Sequence, residues 1–154
     1  SVDLGCVRLT ERHLRSDPPT RAEVAGATAD IEAGLDVAAA EVPFAGVRTL
    51  VGLAGTVTTV TAHALRLPAY DPQAIHLSRV PVARVLAAAE ELVAMPRSER
   101  ARLPYMHPGR VDVIGAGALL WSCVVARVSA AADLDEVVAS EHDILDGIAL
   151  GQLS

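Results

Sequence analysis

The chain has 154 residues, 51% of them apolar and 21% charged, a balance that supports one ordinary core and excludes a disordered chain. Its formal net charge is −6 and it contains no lysine, which argues against non-specific nucleic-acid binding, since a duplex binder needs a basic face. The few aromatics, Phe44, Tyr70, Tyr105 and Trp121, offer no stacking platform for single strands.

Val2 to Leu9 alternates and reads as a first strand, with Gly5 inside it and a short helical turn at Thr10 to Leu14. Asp17-Pro18-Pro19 breaks the chain. Thr20-Arg21-Ala22-Glu23 then has the pattern of a capping box, in which threonine accepts from a backbone N–H and glutamate reaches back. Val24, Ala27, Ile31, Leu35 and Ala38 keep a helical period to about Glu41, before Pro43. Gly46 to Leu53 reads as a second strand, followed by a loop and a helix over Thr58 to Leu67. Ile75 to Val80 reads as a short extended piece. Pro81 suits the first position of a helix that runs to Met95, and Ser98 to Leu103 adds one more helical turn.

His107-Pro108-Gly109-Arg110 opens the most apolar helix, ending near Val128. It is apolar all round, which predicts a central position. Its longest apolar stretch, Val113 to Ala126, is too short to span a bilayer, so no membrane association is expected. Leu134 to Ala139 reads as the third strand. Ser140-Glu141-His142-Asp143 resembles a second capping box, before a closing helix over Ile144 to Leu150. Alternating strands and helices predict an α/β fold with parallel pairings. Three strands make a small sheet, and two more before Ser1 would complete it. A start at Ser1-Val2-Asp3, without methionine and within a strand-like run, is what a fragment or processed product would show.

Cys6 and Cys123 lie far apart and lack metal-ligand spacing, so free thiols in a cytoplasmic protein are expected. None of His13, His63, His76, His107 and His142 has the partner spacing of a zinc site, and no metal held wholly by this chain is expected.

The most informative stretch is Gly52-Leu53-Ala54-Gly55-Thr56, between a strand and a helix start. Helix-start N–H groups face outward there, and glycine lets an anion approach the backbone closely. The alternative is an ordinary turn that needs glycine for its backbone angles. The Thr56 hydroxyl can donate to a phosphate or cap the helix. Arg110 can hold a phosphate or carboxylate by its planar fork, or pair with a nearby acid such as Asp112. Gly-x-Ser-x-Gly is absent and no Gly-Lys-Ser/Thr follows the loop, which removes the serine-hydrolase elbow and the Walker A loop.

Four stretches in order resemble the exopolyphosphatase/guanosine pentaphosphate phosphohydrolase (Ppx/GppA) family. They are Leu4-Gly5-Cys6-Val7-Arg8-Leu9-Thr10-Glu11, Gly52-Leu53-Ala54-Gly55-Thr56-Val57-Thr58-Thr59, His107-Pro108-Gly109-Arg110-Val111-Asp112-Val113-Ile114, and Ser140-Glu141-His142-Asp143-Ile144-Leu145-Asp146-Gly147-Ile148-Ala149. The resemblance implies a ribonuclease-H-like domain of the actin-like ATPase superfamily, with residues 1–154 as part of the C-terminal domain. It places the first phosphate loop and the catalytic glutamate upstream, so no catalytic residue is assigned here. It gives Gly52, Gly55, Thr56 and Arg110 substrate-binding roles. It implies magnesium, held mainly by substrate and upstream acids, and inorganic polyphosphate or guanosine pentaphosphate as substrate. A homodimer is compatible with it. The alternative function is a phosphate- or nucleotide-sensing or dimerisation module without catalysis.

Overall fold

The longest helix begins where a threonine and a glutamate satisfy each other's backbone. In the computed structural model, which describes residues 1–151, the Thr20 hydroxyl accepts from the Glu23 N–H at 3.3 Å. The Glu23 carboxylate accepts from the Thr20 N–H at 2.7 Å, opening helix α2, Arg21–Glu41. Its other oxygen accepts from the Arg15 and Ser16 N–H groups at 3.1 and 3.0 Å. The Thr20 backbone bond is the largest of the contacts that hold the Glu23 carboxyl down to about 2. A depressed carboxylate contributes stability above its unfolded value of 4.5 and loses it as pH falls toward 2. The thermal midpoints of the chain and of Glu23→Ala are therefore expected to converge as pH drops from about 5 to about 2. A constant gap across that range would contradict the capping role.

The elements run α1 (Cys6–Arg12), α2, β1 (Val51–Gly52), α3 (Ala54–Ala64), α4 (Pro72–Ile75), β2 (Arg79–Pro81), α5 (Val82–Ala94), α6 (Arg97–Arg100), α7 (Ile114–Ala132), β3 (Glu136–Ala139) and α8 (Ile144–Gly151). A 3-10 turn, Pro108–Arg110, precedes α7. The sheet order is β1-β3-β2. β1 runs parallel to β3, with Val51 opposite Val138, as the alternation predicts. β2 is antiparallel to β3, with Val80 opposite Val137. The expected all-parallel pattern fails there: two long helices, α5 and α7, lie between β2 and β3 in place of a single crossover helix.

α7 is the central helix. It packs against α1, α2, α3 and α5. Ile114, Ala118, Trp121 and Val125 join the core built by α3, α5 and the sheet. Ala116, Leu119 and Cys123 face a second cluster with Leu9 of α1 and Ala27, Ile31 and Leu35 of α2. Two apolar faces on one helix explain its uniform sequence. By length and composition alone, its 19 residues would suffice to cross a membrane, more than the shorter run counted in the sequence. Here it is mostly buried in the fold, and both Cys6 and Cys123 are free thiols.

Several boundaries differ from the sequence reading. The predicted strand over Val2 to Leu9 is absent. Gly5 caps α1 instead, and the Leu9 N–H bonds to the Gly5 carbonyl at 3.0 Å. Val2, Leu4 and Cys6 alternate, but Cys6, Leu9 and His13 keep a helical spacing, and burial of Leu9 on α7 selects the helix. The second strand shrinks to Val51–Gly52, and α3 begins at Ala54 rather than Thr58. Pro81 ends β2 and caps α5. The last helix is capped by Asp143, not Ser140: Asp143 Oδ1 accepts from Leu145 N–H and Asp146 Oδ2 from Asp143 N–H, both at 2.8 Å.

Candidate functional site

The stretch read as a loop is the first turn of α3. Leu53 stands before it in extended conformation and provides no side-chain cap. Ala54 follows at φ +69°, a left-handed conformation that a residue with a Cβ rarely adopts. Such a reversal at a helix start turns consecutive N–H groups to one side, the geometry of an anion-binding nest.

The four residues singled out from the sequence fall into two pairs. Gly52 and Thr56 tie the turn to α7. A Cβ on Gly52 would lie 2.7 Å from the Trp121 ring and 2.8 Å from a Val57 methyl. A Cβ on Gly117 would lie 2.6 Å from Thr56 Oγ1, so glycine in α7 makes room for Thr56. Gly55 and Arg110 meet directly. The Arg110 guanidinium occupies the space a Gly55 side chain would need. It also donates to Thr59 Oγ1 at 3.2 Å, and the Thr59 hydroxyl donates to the Gly55 carbonyl at 2.7 Å.

Arg110 does not pair with Asp112. Asp112 is held by Arg97, which keeps its carboxyl below the usual range. Arg8, Arg12, Arg66, Arg79, Arg97, Arg100 and Arg127 all have acidic partners. Arg15, Arg21, Arg48, Arg84 and Arg102 are exposed. Among the described residues, Arg110 is therefore the arginine that is both half-buried and without an acidic partner. A half-withdrawn guanidinium beside the first-turn N–H groups of a helix is an arrangement that can hold an anion.

Two further residues reach the start of α3. The Tyr70 hydroxyl donates to Glu141 Oε1 at 2.7 Å and lies 2.9 Å from Thr58 Oγ1. Burial raises its pKa, while hydrogen bonds from Thr58 and Arg110 lower it. His76 accepts from the Glu141 N–H at 3.3 Å and packs against His142 with ring centroids 4.3 Å apart. Tyr70 carried no motif in the sequence, and Glu141 entered only as part of the last resembling stretch.

At the far end of α3 lies a buried polar network. His63 is 2% exposed. Its Nδ1 is 2.5 Å from the Tyr105 hydroxyl, and its Nε2 is 2.9 Å from Glu91 Oε2. Arg66 binds the other Glu91 oxygen at 2.8 Å. Burial pushes the His63 imidazolium below its ordinary pKa, against the opposing pull of Glu91. His107, three residues before Arg110, spends its Nδ1 on the Gly109 N–H at 3.1 Å and so caps the turn that carries Arg110.

Among the described residues, no three His, Cys, Asp or Glu side chains converge as a metal site would require.

The Ppx/GppA phosphatase family model matches residues 1–152. Exopolyphosphatase 2 of Mycobacterium tuberculosis is 52% identical over 150 residues, covering 97% of this chain and 47% of that protein. A solved exopolyphosphatase-like protein superposes with a TM-score of 0.94 at 43% identity, over 97% of this chain and 48% of its own. The Ppx/GppA family member of Aquifex aeolicus does so with a TM-score of 0.81 at 26% identity, over 97% and 46%. The chain thus spans about half the length of the relatives it matches. Its α/β fold is the ribonuclease-H-like, actin-like fold of those neighbours. The order of its four motifs, the arginine over the α3 start and the match across residues 1–152 lead to one conclusion: the chain belongs to the Ppx/GppA phosphatase family.

Proposed function

We propose that this chain is the substrate-binding C-terminal portion of an exopolyphosphatase that releases terminal phosphate from inorganic polyphosphate. The observation that carries the reading is Arg110, half-buried and without an acidic partner, lying against Gly55 at an uncapped helix start. Gly52 and Thr56 keep that turn seated on α7, and Arg110 offsets the repulsion that a net charge of −6 imposes on an entering polyanion. Guanosine pentaphosphate would present the same terminal phosphoanhydride. Magnesium would arrive with the substrate and with acids outside this chain. Cytoplasmic location and a homodimer belong to the same proposal.

The catalytic glutamate and the remaining sheet strands would come from the preceding segment of a longer protein. β1 is a sheet edge, with Val51 46% exposed and Leu53 49% exposed. Beside it runs an apolar groove of about 760 Å³, lined by residues including Leu4, Leu50, Val51, Trp121 and Val124. An open edge beside an apolar groove suits an added strand. Phosphate release from polyphosphate, measured with magnesium on this chain and on one extended upstream, tests the reading. The extended chain is expected to be active and this chain inactive. An inactive extended chain would favour the phosphate-sensing alternative.

A further inference from the structure

We propose that Tyr105, His63 and Glu91 form a positioning relay that fixes Arg110 over the start of α3. The inference rests on Arg110 being the anion-binding group.

Gly55, Thr59 and His63 are spaced four residues apart, so they form one stripe along α3. The segment from Tyr105 to Arg110 is fastened to that stripe at both ends. Arg110 lies against Gly55 and bonds to Thr59, and Tyr105 bonds to His63. Between these points the backbone is closed by short turns: Met106 N–H to the Leu103 carbonyl at 3.0 Å and Arg110 N–H to the His107 carbonyl at 2.9 Å. Little slack separates the two fastenings, so a shift of Tyr105 is carried to Arg110.

The chemistry of the relay defines one arrangement. Glu91, paired with Arg66 and held ionised, can only accept. His63 Nε2 therefore carries a proton and donates to it, which leaves Nδ1 of the neutral ring to accept from the Tyr105 hydroxyl. His63 and Tyr105 are both buried, and an unsatisfied polar group at either position is costly. Such a network accepts one placement of the tyrosine and penalises others. Glu91 and Arg66 are the charged groups acting on His63, and both lie at the solvent end.

The test uses tripolyphosphate as probe, with calorimetric affinity and the NMR signal of the Arg110 Nε–H as readouts. Tyr105→Phe is expected to weaken binding roughly threefold to tenfold, the size of one hydrogen bond. It should also speed solvent exchange of the Arg110 Nε–H. Glu91→Gln keeps an acceptor for His63 and is expected to stay within about twofold of the parent, whereas Glu91→Leu should behave like Tyr105→Phe. Ile31→Ala, in the second core cluster on α2, supplies a loss of thermal stability away from the relay. Parent-like affinity and exchange in Tyr105→Phe would overturn the relay, as would an equal loss in Ile31→Ala. If Arg110→Ala binds tripolyphosphate like the parent, the anion role fails instead, and with it the inference.

Discussion

Arg110→Ala is expected to lower the affinity for tripolyphosphate by about tenfold to a hundredfold while the thermal midpoint moves little. The magnitude follows from removing charge-assisted hydrogen bonds, each contributing about 1.5–3 kcal/mol, with 1.4 kcal/mol per factor of ten. Fold stability is spared because the Arg110 side chain bonds to the hydroxyls of Thr59 and Tyr70, and each keeps another partner, the Gly55 carbonyl and Glu141. Arg110→Lys should recover only part of the affinity, since a point charge replaces a planar fork. In the upstream-extended protein the same change should impair long polyphosphate more than it impairs folding. Equal losses in calorimetric affinity and thermal stability would remove the anion role.

The second large effect concerns the support of the turn. Trp121 is 8% exposed and lies against Gly52 on β1. Trp121→Ala is expected to destabilise the fold by about 3–5 kcal/mol, the range for deleting a buried aromatic. At about 2–4 °C per kcal/mol for a domain of this size, the midpoint should fall by roughly 6–20 °C. The chain has a single tryptophan, so unfolding of the parent can be followed by its fluorescence, and both proteins by circular dichroism. Gly52→Val attacks the same contact from the other side. Its branches would meet the rigid ring and the Val57 methyl, costing about 1–3 kcal/mol by overpacking. A stable Trp121→Ala protein would mean that the turn is not held by α7.

Elements whose signals are local were legible in the sequence. The capping box of α2, the period of α5 and the uniform apolarity of α7 each fix an element without reference to the rest of the chain. The first segment was not, because Val2, Leu4 and Cys6 alternate while Cys6 and Leu9 also suit a helix, and only packing on α2 and α7 decides. The site divides the same way. Gly55 and Arg110 stood out by motif, and the structure brings them together. Tyr70 and Glu141 did not, since 71 residues separate them in sequence. Nor did the relay, whose His63 and Tyr105 lie 42 residues apart. Asp112 as a partner for Arg110 was likewise open in the sequence, and Arg97 takes that carboxylate instead.

The most direct measurement is an amide and arginine Nε–H NMR titration of this chain with tripolyphosphate. The account predicts that Gly55, Thr56 and the Arg110 side chain shift first and saturate together, and that the shifts vanish in Arg110→Ala. Shifts spread over the exposed arginines Arg15, Arg21, Arg48 and Arg84, with Gly55 and Arg110 unmoved, would contradict it.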